Sequence, residues 1–266
     1  MPRAIQFDPT ASHTTPNVTS DTSYTKLWLD GSDLTDKSGT NTLTVTGVTS
    51  STAHSKFGGS SLFFDGTDDK IIFSNTNGSL QLSSAFTIEF FARWDGGSGY
   101  NSLVAFGDPA NYYTALLIAT YAGSWRIWMA NAANNAFNPS AQGFGGAIAN
   151  TWQHISINCN HNASSVECYV DGVRGYSGAP YNNNSFGSSD RYSLSGRAVG
   201  QRYGGYVDDF FVLSGYKLRS GPGSFTVPTT PFSGGIETTT SDTRSYSSVF
   251  DLRSQYKERA AGNWPS

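Results

Sequence analysis

At 266 residues with a formal net charge of −3, the chain is long enough to bury a sizeable core, as one large β-sandwich with appendages or as two small domains. Charged residues make up only 14% and aromatic residues another 14%, with 29 Gly and 10 Pro, a balance that points to an all-β protein. The slight acidity offers no basic face to nucleic acid and no polybasic run to an anionic membrane, and no apolar stretch reaches the length of a membrane span.

Residues 1–23 are rich in Thr, Ser, Pro and Asn with little hydrophobic period, and read as an extended N-terminal arm. Met1-Pro2-Arg3-Ala4 lacks the hydrophobic region of a secretory signal, so a soluble protein outside the secretory route is expected. From Leu27 onward, short apolar runs alternate with turn clusters. The clearest strand is 86–94, with Phe86, Ile88, Phe90, Ala92 and Trp94 on one face and Thr87, Glu89 and Arg93 on the other. Further strands are expected at 62–64, 71–73, 103–106, 115–119, 125–129, 152–159, 166–170 and 207–213. Asp65-Gly66, Asn77-Gly78, Asp95-Gly96-Gly97 and Asp171-Gly172 supply turns that take positive φ cheaply. Short strands joined by such turns leave no room for α/β crossovers, so two packed antiparallel sheets are expected.

Cys159 and Cys168 flank a turn around Ala163 and Ser164. A two-residue turn there sets them opposite one another and permits a disulfide; otherwise they are two free buried thiols. Two cysteines cannot make a structural zinc site, and the 4 His are scattered. Beyond Pro228-Thr229-Thr230-Pro231 the sandwich pattern ends. Residues 233–248 are polar and read as flexible, and 251–261 are charged and compatible with a short helix.

Four stretches together carry a family likeness. Lys56-Phe57-Gly58-Gly59-Ser60-Ser61-Leu62-Phe63-Phe64-Asp65-Gly66 resembles the opening of laminin-G-like, concanavalin-A-like lectin domains, and Phe86-Thr87-Ile88-Glu89-Phe90 resembles their next signature strand. Trp152-Gln153-His154 with Cys168-Tyr169-Val170-Asp171-Gly172-Val173 is similar to their hairpin, and Gly205-Tyr206-Val207-Asp208-Asp209-Phe210 to a later strand. The likeness implies an antiparallel β-sandwich of the concanavalin-A-like jelly-roll type over 24–232, with an arm at 1–23 and a tail at 233–266. The segments flanking the sandwich resemble tailed-bacteriophage structural proteins: Phe225-Thr226-Val227-Pro228-Thr229-Thr230-Pro231-Phe232 at its exit, and Val249-Phe250-Asp251-Leu252, Tyr256 and Ala261-Gly262-Asn263-Trp264-Pro265 at the end. This implies a virion component, made in the host cytoplasm, whose arm and tail bind other virion proteins and copies of itself.

The same architecture hosts glucanases, so catalysis has to be argued from a site. Those enzymes carry their carboxylates as E-x-D-x-x-E on one strand, and a retaining pair needs a separation of about 5 Å. This chain has no such run, and Asp68-Asp69 and Asp208-Asp209, read as strand neighbours, point to opposite faces. No G-x-S-x-G elbow is present. A non-catalytic binding protein is therefore expected.

Calcium is the cofactor that the resemblance implies, at Asp65 with Asp208 or Asp209 and with Asp95 as an outside candidate; the alternative is plain turn chemistry. Sugar recognition in such folds uses aromatic platforms ringed by amides. Tyr100, Tyr112, Tyr113, Trp128, Tyr181, Asn183 and Tyr203 are the candidate carbohydrate-binding residues, with Asn101, Trp125, Asn182 and Tyr206 beside them. Trp125 and Trp128 have odd spacing in one strand, so if Trp125 faces the core Trp128 is expected at the surface. Adhesion to host surface glycans is the leading expectation, and a decoration or cement subunit without a glycan ligand is the alternative.

Overall fold

The computed structural model describes residues 13–74, 80, 82, 85–106, 116–129, 142–160, 163, 165–179, 192–196, 201–219, 221 and 223–244. In chain order the strands are β1 (His13–Asp21), β2 (Thr25–Leu29), β3 (Leu43–Thr46), β4 (Thr49–Ser51), β5 (Ser61–Asp65) and β6 (Lys70–Phe73). There follow β7 (Ala85–Trp94), β8 (Tyr100–Phe106), β9 (Leu116–Tyr121), β10 (Ser124–Met129), β11 (Gln142–Gly146) and β12 (Trp152–Asn160). The last are β13 (Ser165–Val170), β14 (Val173–Gly178), β15 (Tyr192–Leu194), β16 (Gly204–Ser214) and β17 (Ile236–Arg244). Among the described residues there is no helix, hence none long and apolar enough to cross a membrane.

A seven-stranded sheet runs β11-β10-β9-β8-β15-β6-β3, and an eight-stranded sheet runs β14-β13-β12-β7-β16-β5-β4 with β2 also on β16. The protein is thus all-β, two antiparallel sheets face to face. Alternation in β7 delivers Phe86, Ile88, Phe90, Ala92 and Trp94 into the inter-sheet core, where Phe90 stacks on Phe210 at 5.5 Å. Burying each such ring contributes about 2–3 kcal/mol of transfer free energy. Leu27 and Leu29 of β2, Leu62 and Phe64 of β5, and Ile155 and Ile157 of β12 repeat the same period of two.

Turn chemistry explains the local register. Asp171 and Gly172 both have positive φ (51° and 77°) between paired Val170 and Val173, the type I′ hairpin expected of Asp-Gly. Ala122 and Gly123 (48° and 71°) do the same between Tyr121 and Ser124, a turn that composition alone does not announce. At the β11/β14 edge the sheets approach so closely that a Cβ on Gly175 would lie 1.7 Å from the Phe144 carbonyl oxygen.

Cys159 pairs with Val166 and Cys168 with Ile157, so the register is two residues away from the one that sets the cysteines opposite. Both are free thiols in the core. Burial pushes the Cys159 thiol up to about 12 and that of Cys168 well above its usual value.

The termini differ from expectation. The stretches read as an arm and a flexible tail contain β1 and β17, antiparallel partners from His13↔Arg244 to Asp21↔Ile236. They belong to a second unit, the sandwich being Thr22–Gly235. Within the sandwich, Thr25 Oγ1 donates to the Gly234 carbonyl at 2.8 Å, so the points where the chain enters and leaves are tied together. That tie removes most of the loop-closure cost of pairing two ends so distant in sequence. The helix-compatible stretch 251–261 and the Asn77-Gly78 turn lie outside the described residues.

Candidate functional site

The two outer faces of the sandwich differ. On the eight-stranded sheet, the outward polar residues Thr87, Glu89, His154, Ser156 and Asn158 of β7 and β12 are buried beneath the segment that follows β16. Glu89, 1% exposed, has Arg219 Nη2 and His154 Nε2 each 3.0 Å from Oε1, while Ser156 Oγ donates to Oε2 at 2.8 Å. Burial raises the Glu89 carboxyl, but His154 and Arg219 outweigh it and hold the group below the usual carboxylate range. Leu218 N–H donates to Thr87 Oγ1 (2.9 Å) and Arg219 N–H to Asn158 Oδ1 (2.8 Å), fixing the covering segment by its backbone. Phe225 closes the roof against His154 and Tyr169, with the Arg219 guanidinium 4.4 Å from its ring centroid. A buried carboxylate with its charge matched and its oxygens hydrogen-bonded is a structural element, and Glu89 is out of reach of substrate.

Asp208 and Asp209 hold the next part of the same face. Val207 and Phe210 both enter the core, so a β-bulge turns Asp208 and Asp209 (φ 50°) outward together. Reading this pair as pointing to opposite faces is thereby corrected: the bulge breaks the alternation. Asp208 Oδ2 accepts the Lys56 and Phe57 N–H groups at 2.7 and 2.9 Å, and Asp209 Oδ2 accepts the Phe232 N–H at 2.9 Å. Burial raises both carboxyls, that of Asp209 to about 6. They clamp the loop before β5 and the chain exit, and they do not gather with Asp65.

Asp65 gathers instead with Asp68 and Asp69, one carboxylate oxygen from each lying within 4.8 Å of the others. Asp68 and Asp69 sit in the β5–β6 turn, where strand alternation does not apply. Asp65 Oδ1 also accepts Thr67 N–H at 2.7 Å, the Asx-type turn contact weighed as the alternative. Burial, with the charges of Asp65 and Asp68 adding to it, lifts the Asp69 carboxyl. Among the described residues these three are the carboxylates placed to share a cation; Asp95 is exposed and not among them.

The outer face of the seven-stranded sheet carries Trp128, Tyr100 and Tyr121. Trp125 points into the core, donating Nε1–H to Gln153 Oε1 at 3.1 Å, and Trp128 points to the opposite face, as its spacing requires. Trp128 is nevertheless only 8% exposed, because Ala105, Leu117 and Ala119 pack with it in a small outer cluster edged by Tyr100. Tyr100 stacks on Tyr121 with centroids 4.1 Å apart and planes at 15°, and Trp128 lies 5.5 Å from Tyr100. The Arg126 guanidinium sits 5.2 Å from the Tyr121 ring centroid. Tyr121 is thus stacked on Tyr100 with the Arg126 guanidinium over its ring, Trp128 is tilted at 58° to Tyr100, and both tyrosines are partly exposed.

Tyr203 does not belong to it. It is a core residue with no exposed surface, its hydroxyl donating to the Tyr206 carbonyl at 3.3 Å, which removes it from the ligand-contacting set. Tyr206 packs on Phe63 and His54 on the other sheet, and Asn101 is half-buried beside Gly99. Tyr112, Tyr113, Tyr181, Asn182 and Asn183 lie outside the described residues. Tyr121 and Arg126 were not anticipated; their shared outward parity with Trp128 across the β9–β10 hairpin was the available signal.

Comparison with solved structures bears on the fold. Domain 4 of AbnA, an extracellular arabinanase from Geobacillus stearothermophilus, in complex with arabinotriose, matches with a TM-score of 0.56 at 13% identity over 73% of this chain and 93% of its own. The binding domain of botulinum neurotoxin serotype G matches with 0.56 at 15% identity, over 73% of this chain and 48% of its own. A botulinum neurotoxin type C structure, whose cell entry depends on interaction with two ganglioside molecules, matches with 0.53 at 12% identity, over 80% and 49% respectively. The chain thus spans about half the length of these neurotoxin structures. A search of curated protein sequences returned no match. The family model described as the concanavalin A-like lectin/glucanases superfamily matches residues 65–216, more than half of the chain, and the protein belongs to that superfamily.

Proposed function

We propose that this chain is a non-catalytic bacteriophage virion protein of the tail, fibre or capsid surface, whose lectin-like domain adheres to host surface glycans. The observation that carries the binding part is the aromatic cluster on the outer face of the seven-stranded sheet, where the partly exposed Tyr100 and Tyr121 stack beside Trp128. The exposed parts of these aromatic rings can pack against the apolar face of a sugar ring. The arabinotriose bound by one structural neighbour and the gangliosides named for another support the ligand class. The virion assignment rests on the sequence likeness of the terminal segments.

A glycan array probed with the whole protein tests adhesion. Reproducible hits are expected, and Tyr121→Ala should weaken them about tenfold with the melting temperature held within a few degrees. Hits that survive Tyr121→Ala unchanged would move the site elsewhere. Mass spectrometry of purified particles tests the virion role: finding the protein only in infected-cell lysate sinks it.

The β1–β17 ribbon favours a second reading, a decoration or cement subunit without a glycan ligand. A two-stranded ribbon is marginal alone, and among the described residues β1 and β17 pair only with each other, which leaves an edge of each for a neighbouring subunit. Silence across host-derived glycans, with the protein present in particles, favours it.

The family resemblance also carries calcium into this proposal, at Asp65, Asp68 and Asp69 rather than at Asp208 or Asp209. Millimolar calcium should raise the melting temperature by several degrees and Asp65→Asn should abolish the rise. No rise in wild type, or one that Asp65→Asn leaves intact, rejects this site.

A further inference from the structure

We propose that two copies of this chain associate about a two-fold axis through the outer face of the eight-stranded sheet, where a row of aromatic rings and cations lies beside a row of carboxylates. This surface belongs to the sandwich itself and is independent of the terminal segments and of glycan binding.

Strand register builds the first row. Trp152 pairs with Arg93, Arg93 with Tyr206 and Tyr206 with Phe63, across β12, β7, β16 and β5. Trp94, Val207 and Phe64 enter the core and Gln153 bonds to core Trp125, so their neighbours in this row face outward. All four are partly exposed, and three strand spacings make the row about 14 Å long. The groups meet around Tyr206: Phe63 lies 5.0 Å away, His54 packs edge-on at 4.8 Å, and the Arg93 guanidinium is 5.8 Å from the ring centroid. Exposed Lys56, with Nζ 5.0 Å from the Phe91 ring centroid, adds a second cation on the same face. Trp, Tyr and Arg are the side chains that carry most of the energy of protein interfaces.

The second row lies one pleat repeat further along the strands. Asp95 N–H donates to the Gly204 carbonyl at 3.2 Å, and Gly204 pairs with Asp65. A Cβ on Gly204 would stand 2.6 Å from Asp95 Oδ2, so the missing side chain lets the Asp95 carboxylate lie over β16. Asp65 and Asp95 are both exposed. Burial raises the Asp95 carboxyl, while its own backbone and Arg93 oppose the rise. Among the described residues, none of Lys56, Arg93, Asp65 and Asp95 forms an ion pair.

A partner of one sign meets repulsion from one of these rows. A surface carrying both rows in reversed order complements both, and a second copy turned about an axis along their boundary is such a surface. Arg93 then faces the partner's Asp95, twice per dimer, with the rings of the first row covered beside each pair.

Sedimentation equilibrium of the full chain from about 1 to 100 μM tests the interface, and a dimer is expected in that range. Arg93→Asp and Asp95→Arg should each weaken it about tenfold or more by setting like charges opposite one another. The double variant Arg93→Asp/Asp95→Arg should return to within about threefold of wild type, because the swap keeps the two rows complementary. Tyr206→Ala, which changes no charge, should weaken the dimer as well. Melting temperatures within a few degrees of wild type establish that the variants fold, and if Arg93→Asp does not, the exposed Asp95→Arg decides. A monomer throughout the range, a dimer that both single variants leave intact, or a double variant that stays dissociated overturns the proposal. A monomeric wild type whose glycan-array hits vanish with Tyr206→Ala gives the row to sugar instead and overturns it too.

Discussion

Arg219→Ala is expected to destabilise the sandwich by about 3 kcal/mol at neutral pH and to release the segment covering β7 and β12. Glu89 is a buried carboxylate whose oxygens are shared among Arg219, His154 and Ser156. Removing one partner of a buried ion pair costs about 3–5 kcal/mol, because the remaining charge is left in a poorly polarisable site. The Arg219 side chain is 26% exposed and His154 stays in place, which puts the expectation at the lower end of that range. The guanidinium also leaves the Phe225 ring, loosening the roof.

The pH dependence has a definite sign. Glu89 is held below its ordinary value in the folded protein, so its contribution is present at neutral pH and lost as pH falls through the folded pKa. The Arg219→Ala deficit should therefore be largest near pH 7 and shrink in acid. Urea denaturation at several pH values measures it. A deficit under about 1 kcal/mol at pH 7 would show that His154 and Ser156 alone satisfy the carboxylate.

Asp209→Asn is expected to stabilise the protein at pH 7.5 by about 2 kcal/mol, an effect that fades as pH falls toward 4. Burial lifts the Asp209 carboxyl to about 6, opposed by the Phe232 and Trp28 donors and reinforced by the charges of Asp208 and Glu89. A carboxyl whose folded pKa exceeds its unfolded value of 3.8 favours the fold when protonated. That contribution is full below about pH 4 and is lost as pH rises through about 6. A neutral amide removes the penalty. Asparagine also tolerates the positive φ of 50°, and its oxygen can still accept the Phe232 N–H. The measured quantity is the difference between variant and wild type from pH 4 to 7.5, in which shifts shared by both cancel. A variant less stable than wild type at pH 7.5 refutes the assignment.

Much of the architecture was readable before any coordinates. The alternation of 86–94, the Asp171-Gly172 hairpin and the outward parity of Trp128 follow from properties of neighbouring residues, namely a period of two and a cheap positive φ. The candidate site was less legible. Tyr203 and Trp128 carry the right chemistry for sugar, yet one is in the core and the other nearly covered, because burial depends on what packs on a face and not on the face alone. Tyr100 joins Tyr121 and Trp128 on one face only through the pairing of β8 with β9, across a connection that no local pattern spans.

The sequence by itself therefore determined an all-β chain of short antiparallel strands, the core face of its best strands and its superfamily. Those properties are local, repeated along the chain and robust to the placement of any single segment. Only the tertiary structure decided that Asp208 and Asp209 share a face, that the two cysteines miss each other by two residues of register, and that Glu89 is roofed by Arg219. It alone paired β1 with β17. One inserted residue reverses strand parity, and closing a contact between remote segments depends on the free energy of the whole sandwich, which no local pattern encodes.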